Sequence, residues 1–150
     1  MNINQSNNNI LVLGTAQDGG YPQAGCRQAC CREAWKNEKL SRLIASLAII
    51  DESQCWIIDL TPDFKSQIKI LENFINDDKI IQISGIFLTH AHIGHYLGLL
   101  ELGLEVMNTS RTPVYVMSKM KSFLELNAPF LQLIQQENII LNEIEEKVPI

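Results

Sequence analysis

The chain has 150 residues, 46% hydrophobic and 19% charged, which suits one domain with a real core and excludes a low-complexity tail. Twelve basic against 17 acidic residues leave a formal charge of −5 with no cluster of Lys or Arg, which excludes a nucleic-acid footprint. Met1 to Asn9 lacks the basic and apolar regions of a signal peptide, and the longest apolar stretch, Leu43 to Ile50, is far shorter than the about 20 residues that cross a bilayer. The expected location is therefore the cytoplasm, with no membrane partner.

Ile10 to Leu13 is a short apolar run that predicts a strand, and Thr15 to Gly25, with Gly19, Gly20, Pro22 and Gly25, is turn chemistry. Arg27 to Arg42 places charges between Ala29, Ala34, Trp35 and Leu40 and predicts an amphipathic helix. Ser46 to Ile50 and Cys55 to Leu60 predict two strands joined by a hairpin turn at Asp51 to Gln54. Thr61, Pro62 and Asp63 then form a helix start, and Phe64, Ile68, Leu71 and Ile75 recur at core-facing helical spacing to about Asn76. Ile83 to Thr89 is another strand, followed by helix over Leu97 to Val106, a strand over Val114 to Met117 and helices over Ser118 to Leu126 and Pro129 to Gln136. A final strand is expected at Ile139 to Leu141. Strands alternating with helices of this length predict an α/β architecture with helices packed on a sheet, in one domain spanning residues 1–150.

All three histidines, His90, His92 and His95, fall directly after the strand that ends at Thr89. Residues two apart on extended chain point the same way, so His90 and His92 can present two imidazoles to one ion at a strand's carboxyl end, where α/β sheets bind ligands. Neutral imidazole suits zinc, and a hydrolytic zinc site takes three protein ligands and leaves a position for water. The competing explanation is three solvated loop histidines without a metal.

Cys26, Cys30 and Cys31 lie within six residues, too tightly placed for a secreted disulfide scaffold. They form a second candidate, a structural zinc site short of a fourth ligand, with ordinary loop or core thiols as the equal alternative. Cys55, beside Trp56 in a strand, reads as core. The Gly14 to Gly19 loop is no phosphate cradle, because Gly20 and Tyr21 follow where Lys and Ser or Thr are needed.

The run His90, Ala91, His92, Ile93, Gly94, His95, Tyr96, Leu97, Gly98 resembles the metal motif His-x-His-x-Asp-His of the metallo-β-lactamase-fold hydrolase superfamily. Gly14 to Gln23 followed by cysteines is more specifically similar to the branch that contains pyrroloquinoline quinone biosynthesis protein B and related phosphodiesterases. The resemblance implies the amino-terminal half of an αββα sandwich, with His90 and His92 on a first zinc and His95 on a second. It also implies a role beside the metal for Asp59, whose bland alternative is a strand-end cap. Gly94 stands where the family motif has Asp, so a second ion lacks its usual carboxylate. The family also draws ligands from a second half, whereas this sequence has no His after His95 and no Asp after Asp78. The chain is accordingly expected to be incomplete, with an apolar sheet face that a carboxy-terminal half or self-association would cover.

These observations predict a zinc-dependent hydrolase of a small-molecule ester or phosphodiester, with no catalytic side chain named and with this chain alone expected to be inactive. Two other classes stay open: a non-hydrolytic cofactor-biosynthesis protein, and an inactive metal-binding interaction module.

Overall fold

In the computed structural model, which describes residues 9–51, 54–75 and 82–150, six strands form one sheet in chain order. The strands are β1 (Asn9–Gly14), β2 (Ser46–Asp51), β3 (Gln54–Ile58), β4 (Ile83–Phe87), β5 (Thr112–Val116) and β6 (Ile139–Glu143). The first three pair antiparallel and β3 to β6 pair parallel, so the sheet is mixed. Two antiparallel steps in succession return β3 to the direction of β1, and β4 follows β3. The carboxyl ends of β1, β3 and β4 therefore lie along one edge of the sheet, which sets the position of the site.

Helices lie between the strands, and the parallel steps from β3 to β6 use them as crossovers. They are α1 (Ala29–Lys36), α2 (Phe64–Ile75), α3 (Ile93–Tyr96), α4 (Ser118–Leu126) and α5 (Ala128–Gln135). At the start of α2, Thr61 Oγ1 accepts from the Asp63 amide at 3.1 Å, the capping role expected of it. Asp51 and Gln54 pair across the expected hairpin, while its central residues Glu52 and Ser53, like Asn76, lie outside the described residues.

Two expected helices differ. The single helix predicted over Arg27 to Arg42 is α1 followed by a 3-10 turn at Glu38–Leu40. Asn37 breaks it by adopting extended backbone and accepting the Lys39 amide on its side chain at 3.2 Å, the competition that makes Asn a poor interior residue. The helix predicted over Leu97 to Val106 is a 3-10 segment, Leu97–Leu102, ended by extended backbone at Gly103.

One sheet face carries the core. Ala48, Ile57, Ile86 and Val114, in register across β2 to β5, pack with Phe64 and Leu71 of α2, Leu99, Leu124 of α4 and Leu133 of α5. Each fully buried Leu, Ile or Val contributes roughly 1.5–3 kcal/mol. The other face follows the alternate register, through Ile10 and Ile49, Val12 and Leu47, Ile58 and Phe87, and Tyr115. It is apolar yet only half covered, with Ile10 71% and Val12 54% exposed at its edge. One apolar sheet face left uncovered is what the resemblance to the amino-terminal half of an αββα sandwich implies. Here, among the described residues, the packed core lies on one side. Among the described residues no helix is long and apolar enough to cross a membrane.

Candidate metal centre

Three strand ends supply the site. The loop after β1 carries Asp18, the residue after β3 is Asp59, and the segment after β4 runs through Thr89, His90 and His92 into α3, which contains His95.

Asp59 is the fixed point. It is buried, and its backbone lies in the left-handed region at φ 64, where Asp is among the few residues that tolerate the strain. That turn lets its amide donate to Phe87 O at 2.8 Å while its carboxylate collects donors. The Thr89 amide donates at 2.8 Å, Thr89 Oγ1 lies 2.7 Å from Oδ2, and His95 Nδ1 lies 2.8 Å from Oδ2. Thr89 Oγ1 is also 2.8 Å from His90 Nδ1. With the hydroxyl proton directed to Asp59, that oxygen accepts from His90 Nδ1–H and leaves Nε2 as the ring's free lone pair. Asp59 thus orients two imidazoles, one directly and one through Thr89.

The His90 ring centroid lies 4.5 Å from that of His92 and 4.2 Å from that of His95. His95 is the most enclosed by side chain, 12% exposed against 70% for His92. Backbone contacts hold it there, since the Leu60 amide donates to His95 O and the Gly98 amide to Leu60 O, both at 2.9 Å. A Cβ at Gly98 would overlap Thr61 O, so only glycine lets the histidine segment lie this close to the end of β3.

In the sequence Asp18 belongs to the turn-rich loop and to the Gly14 to Gln23 stretch of the resemblance, with no role of its own, and the structure brings it to the histidines. Its Oδ1 is 2.9 Å from His95 Nε2 and its Oδ2 is 3.1 Å from His92 Nδ1. The hydrogen bond from His95 holds the Asp18 carboxyl below its ordinary value, against the opposing effect of burial and with help from the charge of His92. Among the described residues, two sets of three donors have ligand atoms all within 4.8 Å of one another: Asp18, His90 and His92, and Asp59, His90 and His95. Imidazole and carboxylate donors in threes suit zinc or a similar divalent ion.

Neither set includes a cysteine. Cys31 is buried, Cys26 half-buried and Cys30 exposed, and all are free thiols. A backbone hydrogen bond from Gln28 lowers the Cys26 thiol, with a hydrogen bond to Cys31 acting the same way. Cys31 feels a lowering backbone hydrogen bond from Gln23 but is raised on balance by Cys26 and by burial. Cys31 thus touches both Cys26 and Cys30, while neither donor set among the described residues takes in a cysteine.

No family model matches the chain. Coenzyme PQQ synthesis protein B of Rhodopseudomonas palustris is 30% identical over 125 residues, which cover 81% of this chain and 39% of that protein. Among solved structures, Zn(2+)-bound PqqB from Methylobacterium extorquens superposes with a TM-score of 0.76 at 22% identity, over 90% of this chain and 45% of that one. A diphosphatase of the PhnP family gives 0.69 at 26% identity, over 93% and 51%. A Thermotoga maritima protein assigned as a metallo-beta-lactamase gives 0.52 at 15% identity, over 94% and 61%. The chain spans about half the length of these solved structures and less of the curated relative.

Proposed function

The chain has the metallo-β-lactamase fold and belongs with the branch resembling coenzyme PQQ synthesis protein B, and from that premise we propose that it carries the histidine-bearing part of a zinc-dependent hydrolase acting on an ester or phosphodiester. The observation that carries this reading is the convergence of three strand ends on three imidazoles and two carboxylates, with Asp59 and Thr89 orienting the rings.

His90, His92 and His95 would hold the metal. A bound zinc supplies an activated water and polarises the scissile group. The side chains do the positioning. Asp59 accepts His95 Nδ1–H, so that Nε2, which faces Asp18 Oδ1 at 2.9 Å, would be the ligand atom once its proton is given up, and Thr89 fixes the His90 ring with Nε2 outward. His92 is largely exposed, so its ring is open to solvent.

A second reading, a non-hydrolytic step in cofactor biosynthesis, is favoured by one feature: the residue between His92 and His95 is a buried glycine where the hydrolase motif has a carboxylate. The similarity to PQQ synthesis protein B points the same way. The half-covered apolar sheet face supports a covering partner, a second copy or further chain, which sedimentation of the purified chain reads directly.

Metal analysis of the purified chain, followed by a phosphodiester turnover assay with zinc and with chelator, tests the proposal. Bound zinc with chelator-sensitive turnover, in this chain or once its sheet face is covered, is expected of the hydrolase. Bound zinc without turnover in either state selects the second reading, and failure to take up any divalent metal overturns both.

A further inference from the structure

We propose that Asp18, from the loop after β1, is itself a metal ligand, completing a set with His90 and His92, and that Gly94 is the seat that lets this loop reach the histidines. The inference rests on the metal-binding reading above and adds a donor to it from a distant part of the chain.

The two carboxylates of the site stand in different positions. Asp59 is 8% exposed by side chain and is surrounded by the Thr89 amide, the Thr89 hydroxyl and His95 Nδ1. It braces the rings from behind. Asp18 is 34% exposed, and its two oxygens face two different imidazoles, Oδ1 toward His95 and Oδ2 toward His92. A carboxylate placed across two imidazole nitrogens, with its ligand atom within 4.8 Å of those of His90 and His92, has the position of a donor.

The backbone explains how it arrives there. A Cβ built on Gly94 would lie 2.6 Å from Asp18 Cα and 2.9 Å from both Asp18 Cβ and Asp18 O. No side chain fits at position 94 while the loop stays in place, so a carboxylate at 94 and the observed position of Asp18 exclude each other. The loop is also tied on both sides of Asp18. The Thr15 and Ala16 amides donate to Leu43 O at 2.9 and 2.8 Å, the Gly20 amide donates to Gln17 O at 2.8 Å, and Tyr21 pairs with Arg42. Asp18 is therefore held against α3 by its own backbone.

The test is competitive Zn²⁺ titration against a chromophoric chelator, with the Co²⁺ absorption spectrum as a report on ligand geometry, for wild type, Asp18→Asn, Gly94→Ala and the surface control Glu33→Gln. Circular dichroism confirms that each variant is folded. Asp18→Asn is expected to lose about tenfold or more in Zn²⁺ affinity and to weaken the Co²⁺ bands, with Glu33→Gln unchanged. Gly94→Ala removes no donor, yet is expected to shift both readouts in the same direction by displacing the loop. Wild-type affinity and spectrum in Asp18→Asn would overturn the role of Asp18 while leaving the histidine reading intact. An unaltered Gly94→Ala would overturn the seat. If wild type takes up neither ion, the metal reading itself fails and this inference with it.

Discussion

The histidine and cysteine groups look alike in the sequence, each three metal-type residues within six positions, yet the fold treats them differently. The histidines follow a central strand that runs in the same direction as β1 and β3, so the loops after those strands, remote in sequence, close around them. The cysteines sit in and before α1, outside the sheet, with only near neighbours in the chain to assist them. A cluster becomes a coordinated set when the topology brings other elements to orient it, and close spacing alone does not do that.

The sharpest way to break this contrast is His90→Ala. His90 belongs to both donor sets, so its loss should abolish stoichiometric zinc binding, measured by equilibrium dialysis with metal analysis. Retention of a full equivalent of zinc would show that the ion sits elsewhere, with the cysteines the first place to look.

Asp59→Asn tests the bracing instead of the ligands. The amide keeps the size of the side chain but replaces one oxygen by a donor that cannot accept from Thr89 or His95. Zinc affinity should fall about 10–100-fold, the usual range for groups that orient metal ligands, while the donors themselves remain. An unchanged affinity would reduce Asp59 to the strand-end cap that was its alternative in the sequence.

The local part of this architecture is legible in the sequence and the long-range part is not. Ser118 to Leu126 predicts a helix, and α4 has those bounds, because its signals are local. Gathering the histidines after an apolar run likewise places them at a strand end. Asp18 is different: it lies 77 positions before His95 in a stretch that carries only turn signals. What joins the two is the direction of β1 relative to β4, which follows from two antiparallel pairings and a parallel one and leaves no mark near either residue. The signal that could have found it is Gly94 itself: a motif short of its carboxylate invites a search for another one after a co-directional strand. The segment over Leu97 to Val106 also departs from its periodicity: its start is held against the end of β3 at Gly98, and extended backbone at Gly103 ends it after Leu102.

Native-state alkylation sharpens the cysteine side. Cys26, with a lowered thiol and partial exposure, and exposed Cys30 should react first, and adding a chelator should leave their rates unchanged within about twofold, because no donor set among the described residues includes them. Strong acceleration by chelator, read by mass spectrometry of the modified peptides, would show that a metal protects these thiols, as a structural zinc would.

The smallest effect separates a packing thiol from the loop thiols. Burial among the core residues of β2 to β4 pushes Cys55 up from 9.0 to about 11. Between those values the unfolded chain has released the proton and the folded chain still holds it, so the unfolded state binds fewer protons and stability must fall as pH rises. The contribution is complete below pH 9 and is lost as pH climbs toward about 11. Denaturant melts from pH 8 to 10.5 should therefore show a decline in wild type that is shallower in Cys55→Val, which keeps the volume and removes the proton. Cys26→Ser, by contrast, should leave that decline in place, because its thiol is lowered and partly exposed. Equal slopes in wild type and Cys55→Val would mean that the alkaline loss comes from other groups, and the contrast between core and loop thiols would then rest on reactivity alone.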